Sequence, residues 1–223
     1  MAEDLLTDEE QLQEVKRLLK EYGPVLIIGA LLGVGGFFGL RYYRTYQDEQ
    51  GLKASAKFTE MAMALQFNDT KKAREVGATL VKDYPRTAYA DQAQLTLGRI
   101  EVEEGHGDKA VEPITDVMNN SKDDQLKLIA RLRLARVLID QNKPDDAIKL
   151  LDDPKVGTFA GRFHEVRAEA LKAKKDTAGA VKEYKAALAD AETAGADSTL
   201  IEMQLADLGV TDEGPAQPKK VTP

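Results

Sequence analysis

The 223 residues contain no cysteine, which rules out both disulfides and thiolate chemistry. If the chain is exported, packing alone must hold its folded part together. Tryptophan is absent, and of the two histidines, His106 and His164, neither has a second His or Cys at ligand spacing. A metal site is therefore not expected, and both histidines read as surface or packing residues. Basic residues are outnumbered, 31 Lys and Arg against 38 Asp and Glu, giving a net charge of −7. That balance lacks the concentrated Lys and Arg of a nucleic-acid binder. Strand signals are nearly missing beyond Gln50, where Ala, Leu, Lys, Glu and Asp make a helix-forming composition.

One further absence is local. The nineteen residues Tyr22 to Leu40 carry no charge and lie between Glu21 and Arg41. As a helix they span about 28 Å, close to the hydrocarbon thickness of a bilayer. Tyr22 before the run, and Tyr42, Tyr43 and Tyr46 after it, suit the headgroup region. Pro24 fits the first turn of a helix. The run exceeds the usual apolar region of a cleaved signal and shows no small-x-small cleavage site before Arg41, so we read an uncleaved signal anchor. Lys16, Arg17 and Lys20 precede it; Arg41, Arg44, Lys53 and Lys57 follow. This near balance leaves both orientations open. Gly29 and Gly33 form one G-x-x-x-G, Gly35 and Gly39 another, and Gly29, Gly33 and Gly36 share a face that admits a second membrane helix.

Residues 1–22 hold seven acids against three bases, a net −4 that leaves −3 for the remainder. Residues 8–22 keep helical spacing through Leu12, Val15, Leu18 and Leu19, read as a helical extension of the anchor, with a short interfacial or partner-binding helix as the alternative.

Behind the anchor the chain repeats. Ala73, Ala110, Ala147 and Ala180 follow similar helix openings and are separated by 37, 37 and 33 residues. That is close to the tetratricopeptide period of about 34. Twelve residues earlier stand Met61, Gly98, Ala135 and Ala168, three of them small enough for close helix approach. Helix pairs are expected at 52–67 with 70–83, 88–104 with 107–119, 123–141 with 144–151, and 158–174 with 177–194. A capping helix is expected at 198–208, with Ser198 as N-cap and Gly209 as stop. The expected fold is all-α: one N-terminal transmembrane helix, then a TPR-like solenoid of about four helix pairs and a cap. Its divisions are an acidic N-terminal segment 1–21, an anchor 22–43, a repeat domain 50–209 and a disordered tail 210–223.

No catalytic constellation emerges. Gly105-His106-Gly107 opens no strand-to-helix phosphate loop. Asp123-Asp124, Asp145-Asp146 and Asp152-Asp153 sit at helix ends, where capping explains them. No cofactor is implied. A helical solenoid instead offers a concave binding face. Phe58, Leu65, Leu95, Arg99, Arg133, Arg136 and Arg162 are expected there, as an apolar floor with guanidinium groups suited to an acidic peptide. The alternative is a solvated face whose arginines are paired with neighbouring acids.

Several stretches resemble one family. Gln13-Glu14-Val15-Lys16-Arg17 leads through Tyr22-Gly23 into the glycine-rich span and Arg41-Tyr42-Tyr43. Leu132 to Val137 and the closing Glu202 to Leu208 follow in the same order. Together, over about residues 10–209, they resemble the ancillary SecYEG translocon subunit family (YfgM-like). The resemblance implies a non-enzymatic, single-pass protein of the bacterial inner membrane, N-terminus cytoplasmic and TPR-like domain periplasmic. It implies the SecYEG translocon, a PpiD-like periplasmic chaperone and translocated client proteins as partners, beside the lipid bilayer, and transfer of new proteins to the chaperone network. The alternative is a membrane-anchored TPR adaptor with its repeats in the cytosol.

Overall fold

The computed structural model describes residues 8–85, 87–152, 155–194, 198–211 and 214–215. The chain divides into two compact units, Met1–Lys53 and Ala54–Pro223.

The first unit is helical. Helix α1 (Asp8–Gln66, 59 residues) starts well before the apolar run and continues past the end of that unit. The sequence suggested an anchor ending near residue 43 and a separate helix from 52. Between them, Arg44 to Gly51 contain no proline, and the glycine there, Gly51, stays within the helix. The Thr45 hydroxyl bonds the Arg41 carbonyl at 3.1 Å, within the helix. Pro24, expected in a first turn, lies inside α1 because residues 8–22 are already helical; there it removes one ladder hydrogen bond. Val25, Ile27, Ile28, Leu31, Leu32, Phe37, Phe38 and Leu40 are each more than half exposed. Among the described residues α1 is the helix long and apolar enough to cross a membrane.

Among the described residues, the second unit holds the end of α1 and eight further helices: α2 (Thr70–Asp83), α3 (Ala88–Glu103), α4 (Gly107–Asn120), α5 (Asp124–Asp140), α6 (Pro144–Leu150), α7 (Ala160–Ala173), α8 (Thr177–Ala194) and α9 (Ser198–Asp207). Apart from the start of the first, their ends fall within two residues of the expected pairs. A single 3-10 turn, Gly157–Phe159, precedes α7.

One turn recurs inside every pair. Asn68, Gly105, Asn142 and Lys175 adopt left-handed φ values of 58, 79, 61 and 64°. After each, the next amide reaches back six-to-one: Asp69 to Ala64 at 2.8 Å, His106 to Glu101 at 2.8 Å, Lys143 to Leu138 at 2.8 Å, Asp176 to Leu171 at 3.0 Å. This is a Schellman closure, which satisfies carbonyls at the end of one helix while reversing the chain into the next. Five residues beyond each left-handed residue lies an alanine of the repeat, Ala73, Ala110, Ala147 or Ala180, each fully buried.

The core is four linked clusters along the stack. Met61, Val76, Leu80 and Ile100 belong to the first; Leu95, Ile114, Val117 and Leu134 to the second. Leu132, Leu151, Phe163 and Val166 belong to the third; Tyr184, Ile201 and Leu205 to the fourth, where α9 covers the last pair. Full burial of a side chain such as Ile114 or Leu151 contributes about 1.5–3 kcal/mol. Gly209 (φ 82°) follows α9, and Val210 and Thr211 pair antiparallel with Pro215 and Gly214 at the start of the expected tail. Residues 216–223 of that tail lie outside the described residues.

Gly98 measures how tight the packing is. A Cβ placed there would stand 2.8 Å from Ile114 Cγ1, whereas one at Gly77 would chiefly meet the terminal methyl of Met61, at 2.9 Å. Gly98→Val is expected to cost about 1–3 kcal/mol by overpacking. Gly77→Ala should cost less, because the Met61 end can swing and helix propensity returns up to about 1 kcal/mol. Urea unfolding of the two variants checks the order.

Candidate partner-binding face

Helices α3, α5 and α7 are the first members of their pairs, and α5 packs beside both α3 and α7. The four arginines expected on a binding face all come from these helices, and the structure sorts them into two groups.

Arg136 and Arg162 converge on one carboxylate. Glu165, almost fully buried, accepts from Arg136 Nη2 at 3.0 Å and from Arg162 Nη1 at 3.3 Å. Arg136 also donates to Glu169, through Nε at 3.1 Å and Nη2 at 3.2 Å. Burial opposes the Arg136 charge, but the bonds to Glu169 and the fields of Glu169 and Glu165 outweigh it and raise its pKa. The same two acids border Tyr184, whose hydroxyl is pushed up to about 12, first by burial and then by their negative charge.

Arg99 and Arg133 form the other group. Arg133 reaches from α5 to donate to the Leu95 carbonyl of α3 at 3.2 Å. In an α-helix that carbonyl is the acceptor for the Arg99 amide, so the Arg133 guanidinium lies one turn from Arg99. Arg99 is an exposed side chain with Glu103 at 3.5 Å. Desolvation lowers the Arg133 pKa, and the Arg99 charge lowers it further.

The apolar residues expected on this face are placed differently. Leu95 is only 3% exposed and belongs to the second core cluster, because α5 packs over it; what it offers is its carbonyl. Phe58 and Leu65 are partly buried against the first cluster, and the Phe58 ring lies 5.9 Å from that of Tyr89. In the first unit, a Cβ added at Gly29, Gly33 or Gly36 would meet nothing within 4 Å.

Other polar groups serve the fold. Asp123 caps α5, accepting from the amides of Gln125 at 2.8 Å and Leu126 at 3.3 Å. It lines an open cleft of about 750 Å³ with Asp91 and Asp124. There Asp91 accepts from the Ser121 hydroxyl at 2.7 Å and Asp124 pairs with Lys127 at 2.9 Å. Asp145 pairs with Lys174 and Asp146 with Lys149; Asp153 lies outside the described residues. His164 Nδ1 is 2.6 Å from Glu183. His106 meets Glu101 and Glu104, a grouping that a search for His and Cys neighbours passes over. Arg74 bridges both of those carboxylates.

The residues missed from sequence are the acids that answer the arginines. Glu165 and Glu169 lie 29 and 33 positions beyond Arg136, and Glu101 lies 27 beyond Arg74. These separations approach the repeat period, so a search for opposite charges one repeat apart would have found them.

Glu165 is the residue on which the first arginine group depends. Glu165→Ala leaves two guanidinium groups facing each other and is expected to cost about 1–3 kcal/mol, held toward the lower end by the partial exposure of both arginines. Denaturant unfolding measures it, and Glu165→Ala in an Arg162→Met background should recover part of the loss.

The family model described as a tetratricopeptide repeat-like domain matches residues 16–210. A relative from Escherichia coli (strain K12), named ancillary SecYEG translocon subunit, is 29% identical over 205 residues, 91% of this chain and 97% of its own. One of the same name from Haemophilus influenzae is 29% identical over 182 residues, 82% of this chain and 89% of its own. Another from Neisseria gonorrhoeae is 27% identical over 206 residues, 91% and 98% of the two chains. The match starts within the N-terminal part of α1 and ends just after α9, so it takes in both the apolar run and all four helix pairs. This chain belongs to the tetratricopeptide repeat-like domain family and is homologous to proteins named ancillary SecYEG translocon subunit.

Proposed function

We propose that this protein is a non-enzymatic ancillary subunit of the SecYEG translocon. The apolar part of α1 crosses the bacterial inner membrane once, with the N-terminus in the cytoplasm. The repeat domain stands in the periplasm, binds partner proteins and passes newly translocated proteins toward the periplasmic chaperone network, a PpiD-like chaperone among the partners. The observation that carries this reading is that one chain holds an exposed membrane-length apolar helix and a repeat domain, over the full stretch shared with relatives named for the translocon. A helical repeat supports binding better than catalysis, because stacked pairs build extended faces from many short helices. The face of α3, α5 and α7, with Arg99, Arg133, Arg136 and Arg162, is our candidate for that binding, with Phe58 and Leu65 beside it.

The anchor contributes a second contact. Gly29, Gly33 and Gly36 leave a groove along α1 into which another membrane helix packs, since in lipid close backbone approach replaces the hydrophobic drive.

Protease added to intact spheroplasts is expected to digest the repeat domain at once. Protection until the inner membrane is breached would instead place the repeats in the cytosol, as in the adaptor reading. Replacing Gly29, Gly33 and Gly36 together by leucine should lower recovery of SecYEG in mild detergent several-fold, roughly the effect of a kcal/mol of lost helix packing. Unchanged recovery would assign channel binding to the repeats alone.

A further inference from the structure

The two arginine groups differ in one respect that the partner-binding reading does not use. Arg136 and Arg162 are matched by Glu165 and Glu169, two cations against two anions. On the neighbouring helices Arg99 has Glu103, while Arg133 has no carboxylate within 4.0 Å among the described residues. Its hydrogen bond goes to a neutral carbonyl, which takes one of five guanidinium donors, and the residue as a whole is exposed. The chain as a whole is acidic, with a net charge of −7, so an unmatched cation beside a second arginine stands against the general trend. Two like charges brought together on packed helices repel, and an anion bound between them relieves the repulsion. Guanidinium groups take carboxylates through paired donors, in a geometry that lysine does not reproduce.

We propose that Arg99 and Arg133 together form a carboxylate-receiving site, which takes acidic side chains from an Asp- and Glu-rich segment of a partner protein. The inference rests on the partner-binding role of this face and names the chemistry of what it binds. It also divides the face. The α5–α7 half is neutralised from within and holds the helices together, while the α3–α5 half keeps its positive charge for the partner. Binding there is salt-sensitive, as expected for exposed charges.

The test uses the full-length chain in a neutral detergent and a fluorescein-labelled peptide of alternating Glu and Ala. A peptide with Gln in place of Glu serves as the neutral control, and anisotropy is read at low and high salt. The Glu peptide should bind about tenfold or more tightly than the Gln peptide at low salt, the size of a charge-assisted bond. Arg133→Glu and Arg99→Glu should each remove that preference. Lys109→Glu, the same charge change at an exposed position of α4, should leave it intact. Arg133→Lys should retain only part of the preference, because the charge remains without the paired donors. Circular dichroism checks that the variants fold, and Arg133→Gln gives the same reading if charge reversal disturbs the helices. Equal binding of the two peptides, or indifference to both reversals, overturns the site. A dimer that dissolves on Arg133→Glu also overturns it, by making a second copy the occupant. Co-purification with SecYEG is followed in parallel. A wild-type chain that recovers the channel but ignores the Glu peptide loses the site and keeps the function. One that binds the peptide but never recovers the channel keeps the site and loses the function.

Discussion

The close approach of two helices around a buried alanine is the contact on which this molecule is built. Ala73, Ala110, Ala147 and Ala180 are each fully buried, five residues after a left-handed turn. The turn fixes where the chain reverses, and the alanine lets the second helix of the pair settle against the first. A larger side chain would push the pair apart and displace every residue stacked beyond it, since each repeat contacts its neighbours in series. The turns are not chemically uniform. Glycine meets the left-handed requirement at position 105, asparagine at 68 and 142, and Lys175 accepts it despite its Cβ. Packing around the alanine thus over-determines the backbone there.

From this spacing follows the separation of surfaces. First helices lie beside first helices, so residues roughly one repeat apart become neighbours across the stack. Arg136 meets Glu165 and Glu169 in this way, and Arg133 meets Leu95. The repeat turns a linear periodicity into a lateral one. On the α5–α7 side opposite charges fall in register and cancel. On the α3–α5 side two arginines fall in register, and of the two only Arg99 meets a carboxylate, that of Glu103.

Much of the fold was legible because its signals are local. Alanine recurrence, small residues twelve positions earlier and the acids at helix ends such as Asp123 are all short-range, and the helix ends they imply lie close to the observed ones. The join between anchor and first repeat was misread for the opposite reason. A change from apolar to polar composition is not a helix stop, no proline stands in the join, and Gly51 does not end the helix. The arginines read as a candidate binding face were legible in the sequence, but which of them meet acids within the fold was not. Leu95, read as floor, is core, and Glu165 was not singled out at all.

By itself the sequence determined an all-helical repeat behind a membrane-length apolar helix, because charge-free length, helical period and repeat period are properties of the chain alone. Only the tertiary structure decided which arginines are spent on internal pairs and which are left over. Ion pairing depends on distance across helices that the sequence places some thirty residues apart, and a difference of one helical turn in the packing changes whether a carboxylate arrives. Arg136 and Arg133 lie three residues apart on one helix; α7 supplies two acids to the first, and α3 offers the second a neutral carbonyl.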